Sequence, residues 1–395
     1  MNMFILTNAN IVTPTESFEG SVIVENGIIS DIIKFKTYNE GINLEGQWLI
    51  PGIIDIHSDY LEKEIHPRPS ADFPIPFAMH FMDARAASCG ITTLFSAVSF
   101  SQDNMKSRTF ADAINLVKAI ENTTDNLLVR HYIHARLDPN TAAVLEYLEE
   151  MKNLRNLKLV VFNENIPGQR QFPLERQIEM RAKSLGISRE EAHKLLLDFI
   201  EEKSKINHRG DIQKAFSQSM IIGSHDDTTI EHVIEAKLFG ATLSEMPTTI
   251  EAARKAKELN MFVCMGAPNY YRGGSHCGNL SCIDAMNENL VDIFCSDYHF
   301  PTMLGSLVKM FNSGVNYSYA TNLMTKNAAD YLNMPQIGSI EIGKVADLVS
   351  FNIKNDYGIV KNVWVDGFLK FSTKYINDNK NNDIINELNV ISNMN

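Results

Sequence analysis

The sequence predicts an α/β fold: a (β/α)8 barrel of the TIM type, joined to a small β-sandwich built from both ends of the chain. Eight apolar, strand-like runs in the middle of the chain alternate with segments that suit helices, as in a parallel sheet covered on both faces. Short strands and tight turns occupy both ends, and neither end is long enough to bury a core alone. A doubly wound open sheet is the alternative, but no GxGxxG loop follows the first middle strand.

The two ends of the chain carry similar strand and turn signals. Each contains a hairpin signal, Asn26-Gly27 near the start and Asp366-Gly367 near the end. Strands are predicted at 5–12, 21–24 and 28–33, and again at 348–352, 360–365 and 368–371. We therefore expect residues 1–50 and 340–373 to pair into one β-sandwich, and residues 374–395 to form a polar tail.

The middle of the chain, residues 51–339, carries the alternating pattern of the barrel. The predicted strands are 49–57, 92–96, 127–136, 157–164, 220–225, 242–245, 261–265 and 291–297. Helical segments between them include 107–122, 141–154 and 230–239. The interval 173–214 is long and charged, and Ser188 to Glu191 matches a capping box. We predict that this interval is a helical insertion between the fourth and fifth strands.

Composition limits the classes of partner. The net charge of −12 argues against nonspecific binding to nucleic acid or anionic membranes, and no apolar run approaches membrane-spanning length. Five cysteines without a CxxC pair, and an N-terminus without a signal-peptide pattern, predict a cytoplasmic protein with reduced thiols. A small-molecule substrate is the expected partner. The sequence leaves open whether the chain forms a homo-oligomer.

Polar side chains recur at the ends of the predicted strands. His57 and Asp59 stand at positions i and i+2 of the first strand, so they point to the same side. Two polar residues can simply cap a strand, but further metal-competent groups end the later strands: His134, Glu164, His225, Glu245 and Asp297. In a barrel of this type, these ends meet at the catalytic face. The mixture of imidazoles and carboxylates predicts a divalent metal site that suits Zn, Mn, Fe or Ni.

Glycine-containing loops and basic residues predict an anionic ligand at the same face. One loop follows strand four at 167–171, and two follow strand seven at 266–269 and 272–276. Glycine lets backbone amides approach an anion, and arginine binds phosphate oxygens in a bidentate manner. The basic residues are Lys63, Arg68, Arg136, Arg170 and Arg272. Any single loop could instead be an ordinary barrel loop without a ligand. Arg68, which lies between two prolines, could instead belong to a structural turn.

The sequence resembles a known superfamily at two motifs. Pro-Gly-Ile-Ile-Asp-Ile-His at 51–57 and Gly-Lys-Val-Ala-Asp-Leu-Val at 343–349 resemble the amidohydrolase superfamily. More narrowly, a combination of motifs over about residues 1–372 resembles the PhnM family of the carbon–phosphorus lyase pathway. These motifs are His-Ser-Asp at 57–59, Lys63 with Pro-Arg-Pro at 67–69, Pro-Gly-Gln-Arg-Gln-Phe at 167–172, Ser-His-Asp-Asp at 224–227, Pro-Thr-Thr at 247–249, Gly-Ala-Pro-Asn at 266–269, Arg-Gly-Gly-Ser-His at 272–276 and Ser-Asp-Tyr at 296–298.

The resemblance implies a metal-dependent hydrolase of phosphonate catabolism with a deformed (β/α)8 barrel. Such an enzyme converts α-D-ribose 1-methylphosphonate 5-triphosphate to the 5-phosphate and pyrophosphate. One or two divalent ions per chain, Zn first among them, would be held by His57, Asp59, Glu164, His225, Glu245 and Asp297. Asp297 is also expected to act as the catalytic base. The expected substrate-binding residues are Lys63, Arg68, His134, Arg136, Gln169, Arg170, Asp226, Arg272 and His276.

One position departs from the family pattern. Where the PhnM family usually has Asp-His before the Pro-Gly-Gln-Arg-Gln loop, this chain has Glu164-Asn165, so one imidazole is missing. The number of ions and the substrate therefore stay open. The alternatives are hydrolysis of another phosphorylated compound, hydrolysis of a cyclic amide or amino group, and a non-catalytic scaffold. The arginine-containing loops favour a phosphorylated substrate, and the retained ligand positions argue against a scaffold.

Overall fold

The computed structural model describes residues 3–68, 71–101, 109–123, 126–164, 166–170 and 172–373. The predicted polar tail, 374–395, lies outside the described residues, as do Asn165 and the first two residues of the predicted helix 107–122. The strands are β1 (Met3–Val12), β2 (Ser17–Glu25), β3 (Ile28–Lys34), β4 (Ile42–Asn43), β5 (Trp48–Pro51), β6 (Ile53–Ser58), β7 (Ile91–Phe100), β8 (Arg130–Leu137), β9 (Leu157–Phe162), β10 (Ile221–His225), β11 (Leu243–Glu245), β12 (Phe262–Gly266), β13 (Ile293–Cys295), β14 (Leu348–Lys354), β15 (Tyr357–Val365) and β16 (Phe368–Ser372). The helices are α1 (Tyr60–Ile65), α2 (Ile75–Ser88), α3 (Phe110–Glu121), α4 (Val144–Lys152), α5 (Leu174–Leu185), α6 (Arg189–Ser204), α7 (Arg209–Phe216), α8 (Ile230–Leu238), α9 (Ile250–Glu258), α10 (Ala267–Arg272), α11 (Cys282–Asn287), α12 (Pro301–Asn312), α13 (Tyr317–Asn322) and α14 (Lys326–Tyr331).

The strands from the two ends of the chain form one sheet, with the order β16-β15-β14-β5-β1-β2-β3 and β4 paired to β1. Most neighbours are antiparallel, although β4 and β5 run parallel to β1. The hairpins turn at Asn26-Gly27 and Asp366-Gly367, where all four residues have the positive φ angles that these tight turns need. The two hairpin signals in the sequence are therefore confirmed.

This terminal sheet curls around a core of its own. The backbone N–H of Ile29 in β3 donates to the carbonyl of Lys344, just before β14, at 2.8 Å. One buried cluster combines side chains from both ends of the chain: Leu6, Ile11, Val22, Val24, Ile29, Leu348 and Trp364. The expected pairing of the two chain ends is confirmed, because both ends supply side chains to this core.

The second sheet consists of eight parallel strands in sequential order from β6 to β13. The backbone N–H of Asp297, after β13, donates to the carbonyl of His57 in β6 at 3.0 Å, and the N–H of Asp59 donates back to Asp297 at 2.7 Å. These two bonds bring the last strand against the first, so the sheet is a nearly closed barrel. The predicted (β/α)8 barrel is confirmed.

Apolar side chains fill the barrel and close one of its ends. Inward-facing residues of six strands form one buried cluster: Ile54, Ile56, Phe95, Leu159, Val161, Leu243, Cys264, Ile293 and Cys295. Ala328 and Tyr331 of α14 join this cluster, and the Tyr331 hydroxyl lies 3.1 Å from Thr242 Oγ1, just before β11 begins. Since α14 covers the amino ends of the strands, the carboxyl ends remain open for a site.

The predicted barrel strands match β6 to β13, with ends shifted by a few residues. The largest difference lies in the first, where the predicted run 49–57 divides at Gly52 into β5 of the terminal sheet and β6 of the barrel. The Gly52 N–H donates to the Asp347 carbonyl at 2.8 Å. A Cβ atom at this position would lie 2.1 Å from Thr92 Oγ1, so the chain crosses between the sheets where only glycine fits.

The predicted helical insertion contains α5, α6 and α7. The capping box at the start of α6 is present, because Glu191 N–H donates to Ser188 Oγ at 3.1 Å and Ser188 N–H donates to Glu191 Oε2 at 3.0 Å. Helices α5 and α6 share a small apolar core. Ile212 and Phe216 of α7 belong instead to the main core, so the end of the insertion packs on the barrel.

All five cysteines are free thiols, as expected for a chain without disulfides. Within the described part of the chain, no helix is both long enough and apolar enough to cross a membrane.

Candidate active site and metal centre

The carboxyl ends of the barrel strands bring six of the expected site residues together, and we call this group the His57 cluster. Its members are His57 on β6, Asp59 after β6, His134 on β8, His225 on β10, Glu245 on β11 and Asp297 after β13. Each comes from a strand whose apolar residues are buried, so the sheet itself positions these polar groups at one open end of the barrel.

Glu245 lies at the centre of three imidazoles. Its Oε2 is 2.9 Å from His57 Nδ1, 3.5 Å from His134 Nε2 and 3.9 Å from His225 Nε2. The carboxylate is fully buried, and neither of its oxygens has a hydrogen-bond partner among the described residues. Both ring nitrogens of His57 and Nε2 of His134 also lack hydrogen-bond partners there. Buried polar atoms without partners are costly, so this arrangement needs a further group to satisfy it.

The surroundings of His134 indicate which kind of group would fit. Its Nδ1 lies 2.9 Å from the carbonyl oxygen of Ile56, a contact that requires a proton on Nδ1. In the neutral ring, Nε2 then presents a lone pair toward the carboxylate of Glu245. A divalent cation fits between a lone pair and a carboxylate, and a second hydrogen bond from the other ring nitrogen is the usual support of a metal-binding histidine.

A second set of ligand atoms lies nearer the mouth of the barrel. The ligand atoms of His57, Asp59 and Asp297 lie within 4.8 Å of one another, as do those of His57, His134 and Glu245. His57 belongs to both sets, and its Nε2 is 3.5 Å from Asp59 Oδ1. The chemistry of the donors and the unpaired buried nitrogens and oxygens together fit a divalent metal ion.

Burial and neighbouring charges shift the pKa values of the inner residues. Burial opposes protonation of His57, but Glu245 and Asp59 outweigh it and raise the pKa of this imidazole well above its usual value. Burial lowers the pKa of His134 to about 4, so this ring is neutral at physiological pH. Burial alone would raise the pKa of Glu245, but the surrounding imidazoles hold it at about 2, and the carboxylate is therefore ionised.

The two aspartates at the mouth differ in their surroundings. Arg136 Nη1 donates to both oxygens of Asp59, at 2.9 and 3.1 Å. Burial acts to raise the pKa of Asp59, but Arg136 and His57 hold it well below its usual range. Burial raises the pKa of Asp297. Asp59 is thus a fixed anion, while Asp297 has the greater affinity for a proton.

Glu164, an expected metal ligand, lies in a separate group with Arg170, Arg209 and Asp227, which we call the Glu164 cluster. Arg170 Nη2 is 2.9 Å from Glu164 Oε1, and Arg209 Nη2 donates to the same oxygen. Arg170 Nη1 also donates to the His225 carbonyl at 2.8 Å and to Asp227 Oδ1 at 3.1 Å. Arg170, expected to bind substrate, therefore makes its contacts within the protein.

Two members of this cluster were not expected from the sequence. Arg209 belongs to the helical insertion, where one arginine among many charged residues carries no distinguishing signal. Asp227 was visible only as part of a Ser-His-Asp-Asp motif, and it accepts hydrogen bonds from Ser224 at 2.6 Å and Ser244 at 2.8 Å. The Arg209–Glu164 pair joins residues 45 apart in sequence and the Ser244–Asp227 hydrogen bond residues 17 apart, so only the folded structure shows them.

The remaining expected substrate-binding residues lie around the mouth. Asp226, Arg272 and His276 line one pocket together with Asp297 and Tyr298. Asp226 Oδ2 is also 3.0 Å from His225 Nδ1. Lys63 Nζ lies 3.4 Å from the Tyr298 carbonyl oxygen and 5.0 Å from the centre of its ring. Arg68 and Gln169 are exposed. The pocket beside Asp297 thus combines basic side chains with Gly274 and Ser275 of the glycine-containing loop.

The barrel and the polar groups at its carboxyl ends define the class of protein. A sequence model described as the amidohydrolase family matches residues 174–370. The chain is 32% identical to the alpha-D-ribose 1-methylphosphonate 5-triphosphate diphosphatase of Escherichia coli K12. The alignment extends over 373 residues and covers 92% of this chain and 99% of that relative. The chain belongs to the amidohydrolase superfamily and is a hydrolase of that superfamily.

Solved structures agree on the fold. Dihydropyrimidinase from Brevibacillus agri aligns with a TM-score of 0.62 at 13% identity, over 93% of this chain and 94% of that one. N-acetylglucosamine-6-phosphate deacetylase from Pasteurella multocida aligns with a TM-score of 0.60 at 14% identity, over 94% of this chain and 100% of that one. At these identities the likeness concerns the barrel and its terminal sheet.

Proposed function

We propose that the chain is a cytoplasmic hydrolase of the PhnM type, which converts α-D-ribose 1-methylphosphonate 5-triphosphate to the 5-phosphate and pyrophosphate. The observation that carries the proposal is the buried Glu245 carboxylate, whose Oε2 lies 2.9, 3.5 and 3.9 Å from the ring nitrogens of three imidazoles at the open end of the barrel. The identity of the substrate is supported by the similarity, over nearly the full length of both chains, to a diphosphatase that bears this substrate in its name.

The His57 cluster would hold the divalent ion. His57, His134 and Glu245 form the inner set of ligand atoms, and Asp59 and Asp297 complete the outer set. The hydrogen bond of His134 to the Ile56 carbonyl supports a ligand role for this residue rather than the substrate contact expected from the sequence. A bound divalent ion supplies Lewis acidity, which lowers the pKa of a water molecule and stabilises negative charge on phosphate oxygens.

Asp297 is the proposed general base. Backbone hydrogen bonds to His57 and Asp59 fix its position at the mouth, and its carboxylate lines the pocket. The raised pKa of this carboxyl group suits it to accept a proton from water. As the water oxygen bonds to the α-phosphorus, the proton passes to Asp297 and the bond to the pyrophosphate oxygen breaks.

Basic groups around the pocket would bind the triphosphate. Arg272 and His276 line the pocket beside Asp297, and Lys63 contacts Tyr298 at its edge. Charge develops on the departing pyrophosphate in such a reaction, and cationic side chains stabilise it. Arg136 contributes indirectly, because its guanidinium orients Asp59.

A substrate panel tests the proposal. The ion-loaded protein is assayed with the ribose 1-methylphosphonate triphosphate, with a nucleoside triphosphate and with a dihydropyrimidine. We expect the highest kcat/KM for the first compound, with pyrophosphate as a product. A higher kcat/KM for the cyclic amide would contradict the proposed substrate, while hydrolase activity itself would stand.

A further inference from the structure

The Glu164 cluster is balanced in charge without any metal. Among the four buried side chains, Glu164 and Asp227 carry two negative charges, and the guanidinium groups of Arg170 and Arg209 carry two positive ones. Arg209 Nη1 also lies 3.5 Å from Glu235, whose side chain is 40% exposed and therefore partly screened by solvent. The four side chains are almost completely buried, with exposed fractions of 6% or less. A divalent ion placed on Glu164 would face two guanidinium groups at close range, and in a buried site this repulsion is poorly screened.

The His57 cluster, by contrast, has an excess of negative charge. Asp59, Glu245 and Asp297 supply three carboxylates, and the guanidinium group of Arg136 is paired with Asp59. With the imidazoles neutral, as they must be to bind a metal ion, the difference is two negative charges, which one divalent cation neutralises. Glu164 belongs to neither of the two sets of ligand atoms that the described residues form.

The helical insertion holds Arg209 in place. Lys203 Nζ of α6 lies 2.5 Å from Asp138 Oδ2, which follows β8 in the barrel. Asn140 Nδ2 donates to the Ile206 carbonyl at 2.6 Å, and the His208 N–H donates to the Pro139 carbonyl at 2.9 Å. These contacts flank the start of α7 and direct Arg209 toward Glu164.

We infer that this chain binds a single divalent ion, at the His57 cluster, and that Arg209 of the insertion and Arg170 take the place beside Glu164 that a second cation would need. The inference rests on the proposed metal-dependent hydrolase and adds the number of ions and a role for the insertion. Arg209 is a positioning residue: it neutralises Glu164 and thereby stabilises the wall of the site at Arg170 and Asp227.

The experiment counts ions directly. The full chain is stripped with a chelator, reloaded with excess Mn²⁺, desalted and analysed for manganese by mass spectrometry, with the affinity measured by calorimetry. Three further proteins are compared: Glu164→Gln, the double variant Glu164→Gln with Arg209→Met, and Glu245→Gln. The double variant removes one charge of each sign, so it remains informative if the single variant does not fold.

We expect one Mn²⁺ per chain, with the electron paramagnetic resonance pattern of an isolated ion. Glu164→Gln and the double variant are expected to bind one ion with less than about a threefold change in Kd, whereas Glu245→Gln weakens binding about 10- to 100-fold or more. Two ions per wild-type chain, with one lost in Glu164→Gln, would overturn the inference and leave the proposed hydrolase intact. No bound ion in folded wild-type protein would overturn the proposed function and the inference with it.

Discussion

At the residue scale, the tautomer of one histidine explains much of the site. His134 gives its Nδ1 proton to the Ile56 carbonyl and faces Glu245 with Nε2. A lone pair and a carboxylate repel each other in a buried site, and the cost is relieved when a cation lies between them. His57 and His225 face the same carboxylate oxygen. The four side chains together therefore select for a cation.

Asp297 allows the most direct test of a catalytic role. Replacing it with Asn keeps its size but removes the acceptor for the water proton, so we expect kcat to fall by about 10²–10⁴-fold. Steady-state kinetics measures the effect, and the circular dichroism spectrum should stay that of the wild type. Asp284→Asn, at an exposed position on α11, is the matched control and should keep wild-type kcat. Wild-type turnover in Asp297→Asn would contradict the assignment.

At the element scale, the crossing between the two sheets depends on Gly52. A methyl group there would overlap the Thr92 side chain, so Gly52→Ala is expected to destabilise the protein by about 1–3 kcal/mol. Chemical denaturation measures the loss. Gly210→Ala in α7 is the control, because its added Cβ would make an ordinary contact with Phe239 Cε1 at 3.8 Å and should change stability little. Equal stability of both variants would show that the crossing tolerates a side chain.

The contact between α7 and the barrel gives a second prediction at this scale. Arg209→Met leaves Glu164 buried with one arginine instead of two, and we expect a loss of about 3–5 kcal/mol in the free energy of unfolding. Adding Glu164→Gln should recover part of this loss, because the excess buried negative charge is then removed. A double-mutant cycle measures the coupling. Additive losses would show that the two side chains do not interact.

At the scale of the whole molecule, the fold was predictable where local pattern and topology agree. Apolar runs that end in His57, His225 or Glu245 marked both the strands and the open end of the barrel, and turn residues marked the hairpins of the terminal sheet. The partners of site residues were less predictable where they come from distant parts of the sequence. The Arg209–Glu164 pair spans 45 residues, and the contact of His134 with Ile56 spans 78, so neither follows from local pattern.

Metal binding should stabilise the whole molecule. An ion that binds only the folded state at 100 times its Kd adds about 2.7 kcal/mol, so Mn²⁺ or Zn²⁺ should raise the apparent Tm of the chelator-treated protein by a few degrees. Differential scanning calorimetry measures this shift. Glu245→Gln removes a buried ligand and should lose most of the shift, whereas Asp284→Asn should keep it. A shift of equal size in all three proteins would point to an ion bound elsewhere.

In the proposed reaction, this barrel hydrolyses a triphosphate at the phosphorus next to the sugar. The most direct measurement follows ribose 1-methylphosphonate 5-triphosphate by phosphorus NMR with the ion-loaded protein in oxygen-18 water. We expect pyrophosphate and the 5-phosphate as products, with the heavy oxygen on the 5-phosphate. No turnover by a folded protein with its ion bound, or release of inorganic phosphate alone, would contradict the proposed reaction.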